Sequence, residues 1–166
     1  MTAQTLKLGI ELVPESSWHM SLANLLPKPV WDTLRREVYL EFNYTCAICS
    51  ETNCRMNCHE VWRYDDKKHI QYLKGFQALC DACHSIKHWG RTVALVHEGK
   101  LPETYLAELT EHFCKVNGCT VEFFANYRVE IGNLSQKRSK HKYIINFGRF
   151  TPEKVIEVWR KKQGLK

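Results

Sequence analysis

The stretch "LCDACHSIKH", from Leu79 to His88, places two cysteines and two histidines within ten residues. Cys80 and Cys83 have the two-residue separation of a metal-binding knuckle, whereas His84 and His88 lie four residues apart. Because residues at i and i+4 share one face of a helix, both imidazoles could bind the same cation. Two interpretations follow: a single mixed Cys/His metal site, or a cysteine scaffold beside a separate histidine site.

A second knuckle, "CAIC", supplies Cys46 and Cys49, and thirty residues separate it from Cys80, the first cysteine of the opening stretch. Two such pairs can give four thiolates to one tetrahedral ion, with each sulfur about 2.3 Å from the metal. Four thiolates leave no open coordination position, so Cys46, Cys49, Cys80 and Cys83 predict a structural zinc that contributes to folding. Cys54 and Cys58, in the looser "CRMNC", remain alternative ligands.

The composition favours a globular chain outside the secretory route. Of its 166 residues 44% are hydrophobic and 25% charged, with no apolar run long enough to span a membrane. The N-terminal stretch "MTAQTLKLGIELVPESSWHM" has no export-signal pattern, so we expect the eight cysteines to be thiols or zinc ligands in the cytoplasm. Cys114 and Cys119 have no ligand spacing and are expected to be ordinary buried thiols.

Positive charge is concentrated at the C-terminal end of the chain. The net charge is +6, and the residues from Leu134 onward hold ten lysines and arginines against two glutamates. Such an asymmetry is typical of a surface that binds nucleic acid, with a solvated basic terminus as the alternative.

Local patterns predict several helices around a poorly periodic middle. We expect a strand at 6–13, helices at 28–42 and 101–116, and a further helix from Thr120 towards Ile131. A strand at 142–147, expected to pair with 6–13, precedes a last helix capped by Thr151. The middle, 43–89, has little regular periodicity, as expected where a metal replaces a core.

His59, in "NCHEVW", lies between the two knuckles. A zinc shared by the knuckles would clamp the ends of this segment against the helix that carries His84 and His88. Three histidines on such a frame could hold a divalent cation, with one imidazole free to deprotonate water.

The order of "LRREVYLEFNYTCAIC", a segment containing His59 and "LCDACHSIKH" resembles the HNH endonuclease family in its zinc-stabilised form. The resemblance implies an α+β fold: a ββα-metal (His-Me finger) unit flanked by helices, with a short terminal strand pair. That unit would span 43–92, between an N-terminal strand and helix at 1–42 and a basic helical extension at 93–166.

The same resemblance implies a site that hydrolyses phosphodiester bonds. His59 matches the general base, while His84 and His88 match the ligands of a catalytic Mg²⁺, Mn²⁺, Ni²⁺ or Zn²⁺. Two positions depart from the family pattern. Cys58 replaces a usual Asp or His ligand, and Gly75 stands about where the family has the Asn that positions the base. A shifted match makes His59 a ligand and Glu60 the base or an extra oxygen ligand.

The sequence therefore predicts a metal-dependent endonuclease acting on nucleic acid, with DNA as the first expectation and a homodimer as one way to cut two strands. Its alternative is an inactive HNH-like zinc protein that binds nucleic acid or a protein partner, as an inhibitor or regulator. The expected phosphate contacts are Arg63, Lys87, Arg91, Lys137, Arg138, Lys140 and Lys142.

Overall fold

The computed structural model describes residues 6–165. Lys166 of the basic end and residues 1–5 of the segment considered for an export signal lie outside this range. The described chain has a mixed α+β fold, with α1 (Leu22–Leu25), α2 (Lys28–Glu41), β1 (Met56–Asp65), β2 (Ile70–Cys80), α3 (Asp81–Lys87), α4 (Trp89–His97), α5 (Tyr105–Asn117), α6 (Val121–Ser139), β3 (Ile144–Asn146) and α7 (Pro152–Lys162). No helix in residues 6–165 is long and apolar enough to cross a membrane.

A long hairpin of β1 and β2 forms the centre of the fold. The strands pair antiparallel from Met56↔Cys80 to Asp65↔Ile70. At its turn, Asp65 Oδ1 accepts hydrogen bonds from the backbone N–H groups of Lys67 and Lys68, at 3.2 and 3.0 Å. Consecutive residues of β1 are buried at positions 59 and 60 because both faces of this strand are covered. That explains why the sequence shows no clean alternation here.

The second strand continues directly into α3, and Cys80 sits at the junction. Its Sγ accepts a hydrogen bond from the backbone N–H of Cys83 at 3.4 Å, which caps the helix. α3 ends near His88, where α4 begins, so the stretch that opened the sequence analysis joins one strand to two short helices.

The predicted strand at 6–13 does not form, and the predicted terminal strand pair is therefore wrong. β3 instead pairs parallel with β2, from Ile70↔Ile144 to Tyr72↔Asn146. Side chains satisfy the backbone of 6–13: Asn117 bonds both the N–H and the C=O of Leu8, and the Tyr127 hydroxyl accepts from Ile10 N–H. We call residues 6–13 the N-terminal strap, because they cross α3 without joining a sheet.

The four longer predicted helices are present as α2, α5, α6 and α7. Thr120 and Thr151 cap α6 and α7 by accepting from backbone N–H groups three residues on, and Gly118, with φ of 63°, closes α5. Two apolar clusters position the hairpin. One joins the strap to α3, α5 and α6 around Phe113 and Phe124, and the other joins α2 and α7 to the sheet.

Candidate metal centres

Four cysteines converge where β2 meets α3. The knuckle of Cys46 and Cys49 follows α2 and is attached to β2 by a 2.9 Å hydrogen bond from Ala47 N–H to Ala78 O. One sulfur from each of Cys46, Cys49, Cys80 and Cys83 lies within 4.8 Å of the others. Cys49 Sγ and Cys80 Sγ are 3.6 Å apart, close to the roughly 3.8 Å between sulfurs on a tetrahedral zinc. This cluster could hold a metal ion.

The electrostatics of these thiols fit the same interpretation. Hydrogen bonding with Cys46 raises the pKa of Cys80 to about 12 and also raises the pKa of Cys83, whereas Cys80 and Cys83 lower the pKa of Cys46 by donating to its thiolate. Protein groups alone thus favour a thiolate at Cys46 over one at Cys80 or Cys83. A bound dication would supply the charge that lets all four ionise.

The other cysteines lie outside this cluster. Cys58 packs with Val38 and Met56 between β1 and α2, and burial raises its pKa to about 12. Cys54 is half-buried beside the same packing. Cys114 and Cys119, expected to be ordinary buried thiols, are half-buried against the core. Neither alternative ligand, Cys54 or Cys58, belongs to the four-sulfur group of the described chain.

Three histidines form a second, separate cluster. His59 comes from β1, His84 from α3 and His88 from the junction of α3 and α4, and their ligand nitrogens lie within 4.8 Å of one another. The ring centroids are 5.0 Å apart for His59 and His88, 5.7 Å for His59 and His84, and 4.7 Å for His84 and His88. The two clusters share no residue, so the geometry does not support one mixed Cys/His site.

Burial favours the neutral form of His84 and His88. It lowers the pKa of His84 to about 4 and that of His88 to about 3, and the neighbouring imidazoles act in the same direction. His59 is only 2% exposed. A neutral imidazole keeps one nitrogen lone pair, so the cluster suits a cation.

A carboxylate that sequence reasoning missed also reaches this cluster. Glu11, on the N-terminal strap, places Oε2 2.9 Å from His59 Nε2. The two residues are 48 positions apart, and the only local signal is a lone acid in the apolar stretch "LGIELV". Gly75, which stands where the family's Asn is expected, has no side chain, and the space beside its Cα is open. The nearby His69, which precedes β2, stacks on His141.

The structure does not bring Glu60 to the histidine cluster, contrary to the shifted match. Successive side chains of a strand point to opposite faces, and Glu60 Oε1 accepts a 2.6 Å hydrogen bond from the backbone N–H of Leu22 in α1. Burial raises the pKa of this carboxyl to about 7. Glu60 therefore ties β1 to α1, and the geometry gives no support to a role as base or oxygen ligand.

Two arginines lie close enough to influence the histidines. The positive charges of Arg91 and Arg55 contribute to lowering the pKa of His84, after burial and His59. Both arginines are exposed, and neither forms an ion pair within residues 6–165. Arg91 was predicted as a phosphate contact, whereas Arg55, just before β1, was missed.

The remaining predicted phosphate contacts differ in accessibility. Arg138 is engaged inside the protein: it donates to both oxygens of Asp66, at 2.8 and 3.1 Å, lies over the Tyr64 ring and is 16% exposed. An arginine held in this way is not free to contact a phosphate, so the structure gives the predicted role of Arg138 no support. Arg63 is exposed and Lys87 half-buried, and the exposed lysines of the basic end are Lys137, Lys140 and Lys142.

His112 contacts the cysteine cluster, although it has no ligand spacing in the sequence. Its Nε2 lies 3.2 Å from Cys83 Sγ, across the interface of α3 and α5. An imidazole N–H at this position can donate to a metal-bound thiolate. No spacing in the sequence links position 112 to the knuckles.

Comparisons of the chain with models of protein families, with curated proteins and with solved structures find no match. The two clusters and their surroundings are therefore the features that bear on function. Both clusters are compatible with the resemblance to HNH endonucleases, which they do not by themselves establish.

Proposed function

We propose that this chain is a metal-dependent endonuclease of the HNH type, which hydrolyses phosphodiester bonds at the histidine cluster. The observation that carries the proposal is the convergence of three imidazoles from a hairpin and the helix that follows it, with His59 buried and His84 and His88 half-buried. A cysteine cluster at the start of that helix supports the comparison with a ββα-metal unit.

The donor sets assign different tasks to the two clusters. Four thiolates close the coordination sphere of a structural zinc, whereas three imidazoles leave positions open for water and substrate. A divalent cation among the histidines would supply a Lewis acid for a water molecule and for the phosphodiester. Imidazole ligands favour Ni²⁺ or Zn²⁺ over Mg²⁺, with Mn²⁺ between them.

The burial of His59 favours a ligand role over the general base role that the resemblance implies. A general base must come within hydrogen-bond reach of the water it deprotonates, and His59 is 2% exposed. His84 and His88 are more accessible than His59. We therefore propose that all three imidazoles are ligands of the cation. The hydrogen bond between Glu11 and His59 would hold the His59 ring in place.

Charge around the site supports a polyanionic substrate. Arg55 and Arg91 can each hold a phosphate beside the imidazoles, and the exposed Arg63, Lys137, Lys140 and Lys142 can extend backbone contacts. Such contacts do not read bases, so we propose cleavage governed by the backbone, with DNA as the first substrate to test. A second copy of the chain would be needed to cut both strands of a duplex together.

Wild-type protein should cleave plasmid DNA or structured RNA in the presence of Ni²⁺, Mn²⁺, Zn²⁺ or Mg²⁺. His84→Ala removes a proposed ligand and should lower the cleavage rate by more than about 100-fold. His97→Ala, at the exposed end of α4, is the matched control and should leave the rate unchanged. Zinc content should remain the same in all three proteins, since His84 is not part of the cysteine cluster.

The alternative proposal is an inactive zinc protein on the same frame, which binds nucleic acid or a protein partner. The packing of Cys58 and the orientation of Glu60 favour it, because neither family position supplies a ligand or base here. If no cation supports cleavage and Arg91→Ala binds nucleic acid more weakly than the wild type, the chain is a nucleic-acid-binding protein and not a nuclease.

A further inference from the structure

We propose that Glu11 is a positioning residue of the histidine cluster: its carboxylate fixes the tautomer of His59 and thereby prepares one ring nitrogen for a cation. The N-terminal strap would then be an integral part of the metal site. This inference rests on the proposed metal site, but it does not require nuclease activity.

The first step is the hydrogen bond itself. Glu11 Oε2 lies 2.9 Å from His59 Nε2, with side chains that are 14% and 2% exposed. A neutral imidazole carries one N–H and one lone pair, and a carboxylate can only accept. The proton of a neutral His59 must therefore be on Nε2, which leaves the lone pair on Nδ1.

The second step concerns what that lone pair meets. His59 Nδ1 is buried and has no hydrogen-bond partner among the described residues. Leaving a buried acceptor unpaired costs free energy, so such an atom calls for a ligand. The ligand nitrogens of His59, His84 and His88 lie within 4.8 Å of one another, so His84 and His88 can each offer a lone pair to the same cation. A divalent cation bound by all three would satisfy Nδ1.

The third step is the rigidity of the strap. The backbone N–H of Glu11 donates to Lys87 O at 2.9 Å, one residue before His88. Neighbouring strap residues are anchored on α5 and α6, where Asn117 bonds Leu8 and the Tyr127 hydroxyl bonds Ile10. The helix that carries the histidine ligands thus also positions the carboxylate behind His59.

A carboxylate behind a metal-binding imidazole makes that ligand more basic and fixes its ring. In this chain Glu11 would take over the positioning task for which β2 offers no Asn. It would also bring one negative charge to a site of otherwise neutral ligands. Both effects should appear as metal affinity, independently of any substrate.

The test is isothermal titration of zinc-containing full-length protein with Ni²⁺, comparing the wild type with Glu11→Ala, Glu11→Gln and the exposed control Glu15→Ala. Glu11→Ala should weaken Ni²⁺ binding by roughly 10- to 100-fold. Glu11→Gln should lose less, because its amide oxygen can still accept from Nε2–H, and it serves as the test variant if the alanine variant does not fold. Glu15→Ala should bind like the wild type.

Nitrogen NMR of the metal-free histidine cluster gives the second readout. Wild-type His59 should be the Nε2–H tautomer, and Glu11→Ala should show a mixture of tautomers. Unchanged Ni²⁺ affinity with an unchanged tautomer in both Glu11 variants would overturn the inference, as would a wild type that binds no second metal. If the wild type binds Ni²⁺ but cleaves nothing, and the Glu11 variants bind Ni²⁺ more weakly, the inference would be upheld and the proposed nuclease activity would be wrong.

Discussion

Replacing Cys83 with serine should release the structural zinc and abolish cooperative unfolding of the described fold. Cys83 is fully buried in the first turn of α3, and its sulfur belongs to the four-sulfur cluster. Structural zinc contributes about 10–16 kcal/mol in small zinc-dependent domains, comparable to the whole net stability of a typical domain. The zinc content measured by elemental analysis should fall from about one ion per chain to nearly none. Thermal unfolding should lose its sharp transition.

Cys114→Ser is the matched control for this result. Cys114 is a half-buried thiol on α5 outside the cluster, so its replacement should keep the zinc and change stability by no more than about 1 kcal/mol. A Cys83→Ser protein that retains one zinc and unfolds like the wild type would contradict the four-thiolate site. It would indicate that His112, now 3.2 Å from Cys83 Sγ, can serve as a ligand.

Replacing His59 with alanine should abolish binding of the second cation and reduce cleavage by more than about 100-fold, while the zinc stays in place. The reason is that His59 contributes one of three converging ligand nitrogens but no atom to the cysteine cluster. Titration with Ni²⁺ and elemental analysis of the same sample measure the two effects separately. His59→Asn is a useful second variant, because its amide can still donate to Glu11.

The general base role of His59 leads to a different result. A base that does not bind the metal would leave Ni²⁺ affinity unchanged in His59→Ala while cleavage disappears. That outcome would contradict the ligand role proposed here and restore the role implied by the HNH resemblance. His97→Ala should change neither quantity, since it lies on the exposed end of α4.

Features with local signals were predictable from the sequence. The two knuckles, Cys46 with Cys49 and Cys80 with Cys83, have a spacing that itself sets the sulfur geometry, and all four sulfurs converge. The helical spacing of His84 and His88 likewise survives across the end of α3, because His88 N–H still bonds to His84 O at 3.1 Å. Caps such as Thr120 act on residues three positions away.

Features that depend on distant contacts were not predictable in this way. The strap has the composition of a strand, but Asn117 and Tyr127 satisfy its backbone from more than 100 residues away. Glu11 meets His59 only because the strap crosses α3. Charge counting similarly treated Arg138 as available, although Asp66 holds it through two hydrogen bonds.

We propose that the chain has two separate metal sites of different chemistry. X-ray absorption at the zinc and nickel edges, on protein loaded with one equivalent of each ion, distinguishes these two sites from a single mixed site. We expect zinc surrounded by four sulfurs at about 2.3 Å, and nickel surrounded by imidazole nitrogen and oxygen with no sulfur. Zinc with mixed sulfur and imidazole ligands, and no ordered site for nickel, would show instead that the chain has one mixed site.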